Sequence, residues 1–196
     1  MTDPQPRRSA RDRIFEAARE LFYRRGIHGV GVETIAQAAG ATKMSLYRAF
    51  PSKDALVAEC LRASEQDFWA WWNEVVAPHE RDSEAQLLAL FDALATKTCS
   101  RDSRGCAIAN AAVEIGDSEH PGRAVIVAHK RTVRARLRRL CAGLNTEAPN
   151  DLADSLMLLM EGANATRLAF RAHGPAASVG DAARRLVAVY QGRKPR

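Results

Sequence analysis

Hydrogen-bond donors and cations are concentrated in one short stretch of the chain. It carries, at helical spacing and then after a Pro-Ser break, Thr42, Lys43, Ser45, Tyr47, Arg48 and Lys53. Hydroxyl and cationic groups suit phosphate oxygens, and lysine or arginine also pairs with guanine edges in the major groove. We therefore interpret the stretch as a nucleic-acid contact surface.

Two short helices joined by a glycine turn must position that surface. We predict helices over 32–39 and 42–50, with Gly40 permitting the sharp turn between them and Thr42 capping the second with its hydroxyl. This order is a helix-turn-helix, whose second helix enters the major groove of DNA. The apolar residues that would hold the two helices together are Ile35, Ala36, Ala39, Leu46 and Phe50.

The rest of the chain is also predicted to be helical. Ser9 caps a first helix ending near Gly26, Ser52 caps a fourth running to about Val76, and a capping box begins at Ser83. Further helices are expected over 106–115, 121–141, 150–170 and 180–190, and no stretch alternates as a strand does. The fold class is all-α, with about nine helices.

Composition narrows the kind of protein. The net charge is +6, and residues 1–63 hold 11 Lys and Arg against 7 Asp and Glu, whereas the remainder holds 18 against 16. An excess of positive charge beside the helix-turn-helix favours a polyanionic partner. No zinc-ligand spacing, catalytic constellation or bilayer-length apolar run is present, so we expect no metal, no cofactor, no membrane segment and a cytoplasmic location.

Residues from about 10 to 57 resemble the DNA-binding domain of the tetracycline-repressor (TetR) family of bacterial transcriptional regulators. The resemblance rests on the joint spacing of Ile35-Ala36, Ala39-Gly40, Leu46-Tyr47, Phe50 and Ser52-Lys53-Asp54-Ala55-Leu56. It implies a basic arm over 1–8, expected to be disordered, a DNA-binding domain over 9–52, and a helical ligand-binding and dimerisation domain over 53–196.

The resemblance also assigns roles at the surface. It implies that Tyr47 contacts phosphate. Lys53 opposes the dipole at the start of the fourth helix, so a phosphate bound jointly by Lys53 and that helix N-terminus explains its position. Lys43 and Arg48 are exposed positions of the presumed recognition helix and either read bases or contact phosphate. One position departs from the family: Gly31 stands where a Ser or Thr usually caps the second helix, so nearby Thr34 or a backbone amide must replace that hydroxyl. Glu33 occupies a position where some members place a base-reading arginine, and it either accepts from cytosine or favours the helix N-terminus.

The second domain has two candidate surfaces. The first is an aromatic pocket for a small ligand, and the alternative is that the same residues only form the hydrophobic core. The residues concerned are Trp69, Trp72, Phe91, Cys106, Asn110, Met157 and Met160. The 151–170 helix is apolar on more than one face, so a second subunit is expected to cover it together with the last helix. The predicted interface comprises Leu156, Leu159, Gly162, Ala163, Leu186 and Tyr190.

These observations predict a homodimeric repressor on a near-palindromic double-stranded operator, released by a small apolar or aromatic effector. One alternative is a redox-responsive regulator in which Cys99 or Cys106 senses oxidants, with Arg101 and Arg104 as the nearby cations. A less favoured alternative is a helical enzyme that carries an accessory DNA-binding domain.

Overall fold

A computed structural model describes residues 8–100 and 104–194 of the chain. Over these ranges the chain forms nine α-helices and no strand, which confirms the all-α prediction. The arm predicted over 1–8 lies outside the described residues, apart from Arg8. The helices are α1 (Ala10–Arg25), α2 (Val32–Ala38), α3 (Lys43–Ala49), α4 (Lys53–Val76), α5 (Ser83–Cys99), α6 (Ala107–Glu114), α7 (Pro121–Ala142), α8 (Pro149–Phe170) and α9 (Val179–Tyr190).

Contacts divide the described residues into two units. Unit 1 comprises residues 8–63 and 111–125, and unit 2 comprises residues 64–100, 104–110 and 126–194. This division differs from the predicted boundary at residue 52. The helix-turn-helix with α1 is too small to bury a core by itself, and the first part of α4 adds the buried residues Leu56, Val57 and Ala58 to unit 1.

Side-chain caps begin several helices where the sequence predicts them. The Ser9 hydroxyl accepts from the amide of Asp12, whose carboxylate accepts from the amide of Ser9, which completes a capping box. Thr42 and Ser52 each accept from the amide three residues on, at 3.1 and 3.0 Å. Such caps satisfy amides that have no partner within the helix, so α1, α3 and α4 start at the predicted positions.

The predicted start of α5 is wrong by one residue. Asp82, rather than Ser83, is the cap, and its carboxylate accepts from the amide of Ala85 at 2.9 Å. Both residues can cap a helix, and aspartate adds a favourable charge at the helix N-terminus. Helix α8 begins at Pro149, because proline fits the first helical position and needs no amide partner there.

Unit 2 is built around α5, which packs against α8 and α9. Leu87, Leu90 and Phe91 of α5 are fully buried, as are Leu152 and Leu156 of α8. Helix α7 adds Val133, Leu137, Leu140 and Cys141 to the same core. Among the described residues, no helix is both long enough and apolar enough to cross a membrane.

Gly40 links α2 to α3 through a left-handed backbone conformation, with φ at +57°. A side chain at this position would meet nothing within 4 Å, so the requirement for glycine is conformational and not steric. The amide of Ala41 donates to the carbonyl of Ala36 at 2.9 Å, which closes the turn. The predicted glycine turn is confirmed.

We expect Gly40→Ala to lower the free energy of unfolding by about 1 kcal/mol, because alanine disfavours positive φ. Urea denaturation should show a lower midpoint with an unchanged slope. Gly116→Ala is the matched control, since Gly116 also has nothing within 4 Å of an added Cβ but has no positive φ. Equal effects of the two substitutions would contradict the conformational explanation.

Candidate nucleic-acid interface

Helix α3 is anchored by one buried residue, and most of its other side chains are exposed. Leu46 is fully buried, whereas Lys43, Tyr47 and Arg48 are exposed and Met44 keeps 71% of its surface accessible. A helix with one buried residue and this many accessible neighbours offers almost its whole length to a partner. The candidate interface is therefore α3 with its cap, Thr42, which is also exposed.

A salt bridge connects the N-terminal ends of α2 and α3. Lys43 Nζ lies 2.5 Å from Glu33 Oε1, and both side chains are exposed. The hydrogen bond to Lys43 lowers the pKa of the Glu33 carboxyl, and the same bond raises the pKa of Lys43. Any further acceptor bound by Lys43 would therefore have to displace or share the Glu33 carboxylate.

Lys53 makes a contact that the sequence does not predict. Its Nζ donates to the carbonyl oxygen of Ile27 at 2.6 Å, in the turn between α1 and α2, and lies 5.9 Å from the centre of the Phe22 ring. The side chain is half-buried. Lys53 therefore supports the turn in this state, and its contact with phosphate stays a prediction.

The start of α2 has the glycine cap expected from the sequence. Gly31 is the cap residue, and no side chain forms a capping hydrogen bond there. Thr34 is half-buried one turn further on, and Ser45 is half-buried with its hydroxyl 3.0 Å from that of Thr42. No side chain of the cap residue therefore replaces the hydroxyl that is missing at Gly31.

A cleft of about 120 Å³ lies in unit 1 on the α1–α2 turn. Its central group is Glu114 at the end of α6, and the sequence pattern did not assign this position in the cleft to it. The Glu114 carboxylate accepts from the amides of Ile27 and His28, which lie 87 and 86 residues away in sequence. The cleft is lined by Ile27, His28, Lys53, Asp54, Glu114, Ile115, Gly116, Asp117 and His120.

The predicted effector residues all lie in unit 2, but they occupy different environments. Trp72, Phe91 and Met160 are buried in its core, and Trp69 and Met157 pack against that core with part of their surface exposed. Trp69 and Trp72 meet edge to face, with ring centroids 5.8 Å apart. Their grouping is consistent with an aromatic wall and equally with ordinary core packing.

The two predicted polar pocket residues lie at the start of α6. Asn110 Nδ2 donates to the carbonyl of Arg104 at 2.8 Å, so its side chain fixes the loop that precedes the helix. Cys106 is half-buried, as is Cys99. Cys60 and Cys141 are buried, and burial raises the pKa of each thiol to about 12. The thiol-sensor alternative is thereby limited to Cys99 and Cys106.

His129 is a buried polar residue that the sequence analysis left without a role. It is 1% exposed and packs edge to face against Phe68, with ring centroids 4.7 Å apart. Its Nδ1 has no hydrogen-bond partner among the described residues, and the carboxylate of Glu65 lies 3.6 Å away. Burial, reinforced by the charge of Lys130, lowers the pKa of His129 to about 4.

The outward apolar surface of unit 2 differs in part from the predicted dimer interface. Leu156 and Ala163 are buried within the core of unit 2 itself, and Leu159, Leu186 and Tyr190 are half-buried, whereas Gly162 is exposed. The reason is the register of α8, which turns Leu156 inward and its neighbour Leu158 outward. The large exposed apolar side chains of α8 and α9 are Leu158, Leu168, Phe170 and Val189.

No group of three or more His, Cys, Asp or Glu side chains within residues 8–100 and 104–194 is arranged to hold a metal ion.

Comparison with known proteins identifies the class of this fold. A family model described as bacterial regulatory proteins of the tetR family matches residues 14–60. The HTH-type transcriptional repressor KstR2 of Rhodococcus jostii is 38% identical over 88 residues, which are 45% of this chain and 43% of that protein. The matched region thus spans less than half the length of that repressor.

Solved structures resemble nearly the whole chain. A TetR transcriptional regulator from Streptomyces avermitilis is 29% identical, with a TM-score of 0.79 over 93% of this chain and 98% of that one. A TetR-family regulator from Streptomyces coelicolor is 25% identical, with a TM-score of 0.86 over 93% and 96%. Residues 14–60 therefore match the DNA-binding domain of the bacterial regulatory proteins of the tetR family. The fold of the described residues resembles that of TetR-family transcriptional regulators over most of its length.

The protein should lose stability as the pH falls from 7 to 5, in part because His129 stays neutral when folded. Its pKa is about 4 in the folded protein and about 6.5 in an unfolded chain, so the unfolded state binds the proton first. Linkage gives a loss of about 2 kcal/mol over this range. The measurement is urea denaturation at pH 7 and pH 5 for wild type and His129→Leu.

His129→Leu keeps a comparable volume and removes the titrating group, so its stability should depend less on pH between 5 and 7. His173→Leu is the control, because His173 is exposed. An undiminished pH dependence in His129→Leu would show that burial of His129 does not contribute.

Proposed function

We propose that the protein is a homodimeric transcriptional repressor that binds a near-palindromic DNA operator and is released from it by a small apolar or aromatic effector. The observation that carries the proposal is the face of α3, where Lys43, Met44, Tyr47 and Arg48 stand exposed over the buried Leu46. A recognition helix needs this combination, because base edges are reached only by side chains that project from a firmly seated helix.

Roles on that face follow from chemistry. Arg48 and Lys43 are the candidates for guanine O6 and N7, and Met44 can contact a thymine methyl group. The hydroxyls of Tyr47 and Thr42 suit phosphate oxygens, and the uncapped amides at Gly31 can bind a phosphate at the start of α2. Among the relatives described above, KstR2 is named a transcriptional repressor, which supports the repressor assignment.

The exposed apolar residues of α8 and α9 support the homodimer. Leu158 is 74% exposed, Phe170 58% and Val189 57%, and Gly162 lies on α8 with nothing within 4 Å of an added Cβ. Small residues let two helices approach closely, and a two-fold interface uses the same patch on both subunits. Two subunits would present two α3 helices to the two halves of an operator.

The effector would act through unit 2, where Phe68, Trp69 and Trp72 meet at centroid distances of 5.0 to 5.9 Å. Aromatic walls with few polar groups bind apolar and aromatic molecules. A ligand that prefers one conformation of this unit shifts the protein toward it, and release of DNA follows if that conformation fits the operator poorly.

The DNA-binding assignment predicts opposite effects of two kinds of substitution. Tyr47→Phe and Lys53→Ala should weaken binding to all DNA sequences, and Lys53→Ala should lower the slope of log affinity against log salt by about one. Glu33→Gln should instead strengthen binding, because Lys43 is then released to DNA. The measurement is fluorescence anisotropy, across a salt series, of a duplex that the wild-type protein enriches from a random pool.

Arg185→Ala is the matched control, since it removes a positive charge from an exposed position on α9. The salt slope separates a phosphate contact of Lys53 from its support of the turn, because loss of the hydrogen bond to Ile27 alone leaves the slope unchanged. Wild-type affinity in both Tyr47→Phe and Lys53→Ala would overturn the assignment.

The dimer assignment predicts that Leu158→Glu shifts the protein toward monomer at micromolar concentration, because two carboxylates would lie at an apolar interface. Val113→Glu is the control, because Val113 of α6 is 88% exposed and the substitution adds the same charge to a surface outside the proposed α8–α9 interface. Sedimentation velocity would compare the two variants with wild type. A monomeric wild-type protein, or equal behaviour of the variants, would contradict this interface.

A further inference from the structure

Two opposite charges from different helices meet at the exposed face of α3. Lys43 is the first residue of α3 and Glu33 is the second residue of α2, and Lys43 Nζ lies 2.5 Å from Glu33 Oε1. The two side chains keep 54% and 68% of their surface exposed. An ion pair exposed to this extent contributes little to folding, so stability alone does not account for it.

Both side chains have further capacity for hydrogen bonds. A lysine ammonium has three donors, and a carboxylate has about four acceptor sites. One bond joins Lys43 to Glu33, and the Glu33 carboxylate also accepts from its own backbone amide. Within residues 8–100 and 104–194, no other hydrogen bond involves either side chain. The pair therefore presents N–H donors of Lys43 directly beside an acceptor of Glu33.

This order of groups is complementary to the major-groove edge of a G·C base pair. Guanine presents two acceptors, N7 and O6, and cytosine presents its N4 amino donor next to them. Lysine donates to guanine O6 and N7, and glutamate accepts from cytosine N4. Because Lys43 and Glu33 already lie side by side, they can make both contacts to one base pair while the ion pair persists.

An A·T base pair matches the two side chains less well. Its edge has one acceptor on each side of the adenine N6 donor, and it carries the thymine methyl group. A lysine beside the carboxylate then finds one acceptor in place of two. If that acceptor is thymine O4, the methyl group also removes water from the ammonium without giving it a partner. The pair therefore favours G·C over A·T, with Lys43 on the purine.

The place of Lys43 in its helix supports contact with bases. The N-terminal residues of a recognition helix contact base edges, and Lys43 is the first residue of α3. The Glu33 carboxylate lies beside its ammonium and reaches the same edges. Phosphates repel a carboxylate, whereas the amino groups of cytosine and adenine are donors in the major groove. A base amino group is therefore the partner that the DNA offers Glu33.

We infer that the Lys43–Glu33 pair reads one G·C base pair in each half of the operator. Lys43 donates to guanine O6 and N7, and cytosine N4 donates to the Glu33 carboxylate. The inference rests on the proposed function, because it concerns the sequence that the proposed DNA site selects. It gives Glu33 a role in specificity: its negative charge lowers the affinity for all DNA, and its contact with cytosine makes this loss smallest for the matching sequence.

The test uses modified bases in the duplex that the wild-type protein enriches from a random pool. At each G·C pair of a half-site, 7-deazaguanine removes the N7 acceptor and N4-methylcytosine blocks the N4 donor that faces the groove. Both modifications keep Watson–Crick pairing. For the wild type, one G·C pair should respond to both, and each should raise Kd about tenfold in fluorescence anisotropy.

Two single substitutions separate the two contacts. Glu33→Ala should abolish the effect of N4-methylcytosine at that pair and keep the effect of 7-deazaguanine, and Lys43→Ala should do the reverse. Glu20→Ala should keep both effects and is the matched control, because Glu20 forms an exposed ion pair with Arg24 on α1. All three substituted side chains are exposed, so equal midpoints in urea should show that the variants fold as the wild type does.

Two results would overturn the inference alone. One is an enriched half-site in which no effect of N4-methylcytosine is lost in Glu33→Ala. The other is a Lys43→Ala variant that keeps every base preference and lowers the slope of log affinity against log salt by about one, as loss of a phosphate contact does. Failure of the proposed function gives a different result, because the wild type would then enrich no duplex, and the inference would fall with it.

Discussion

The buried face that α1, α2 and α3 share is the constraint on which the rest of unit 1 depends. Helices α2 and α3 have seven residues each, well below the length of about 12 at which an isolated helix becomes marginal in water. They persist because Ile14, Ile35 and Leu46 are fully buried. Packing therefore supplies the stability that the length of these helices cannot.

This constraint decides what the outward face can carry. With Leu46 committed to the core, α3 can give its remaining positions to cations and hydroxyls without loss of stability. The same exposure leaves Lys43 near Glu33 in a high-dielectric environment, where an ion pair contributes little to folding. On the proposed DNA site, the effect of the pair would fall on binding instead, since a lysine that already has a carboxylate partner gains less from a phosphate. In the proposed function, the exposed Lys43–Glu33 ion pair would weaken non-specific binding to DNA and in this way contribute to sequence specificity.

Features set by neighbouring residues could be predicted from the sequence. The caps at Ser9, Thr42 and Ser52 and the turn at Gly40 each depend on atoms within a few positions, so a residue type and its spacing were sufficient. The error at α5 is of the same local kind, because Asp82 and Ser83 are adjacent and both can cap. The all-α class followed from the same periodicity, and the joint spacing around the helix-turn-helix was enough to indicate the TetR family.

Features set by distant residues could not be predicted in this way. The apolar pattern on α8 indicates that several sides of the helix are buried. It does not indicate that Leu156 lies in the core of unit 2 and that Leu158 is exposed. The contact of Glu114 with Ile27 spans 87 residues, and no local rule points to it. A signal was nevertheless present: an acidic side chain in the last turn of a short helix opposes the helix dipole. Such a residue calls for a partner outside its own helix, and backbone amides of a glycine-flanked turn are suitable donors. A residue that is electrostatically unfavourable within its own helix therefore indicates a tertiary contact that hydrophobic periodicity alone does not reveal.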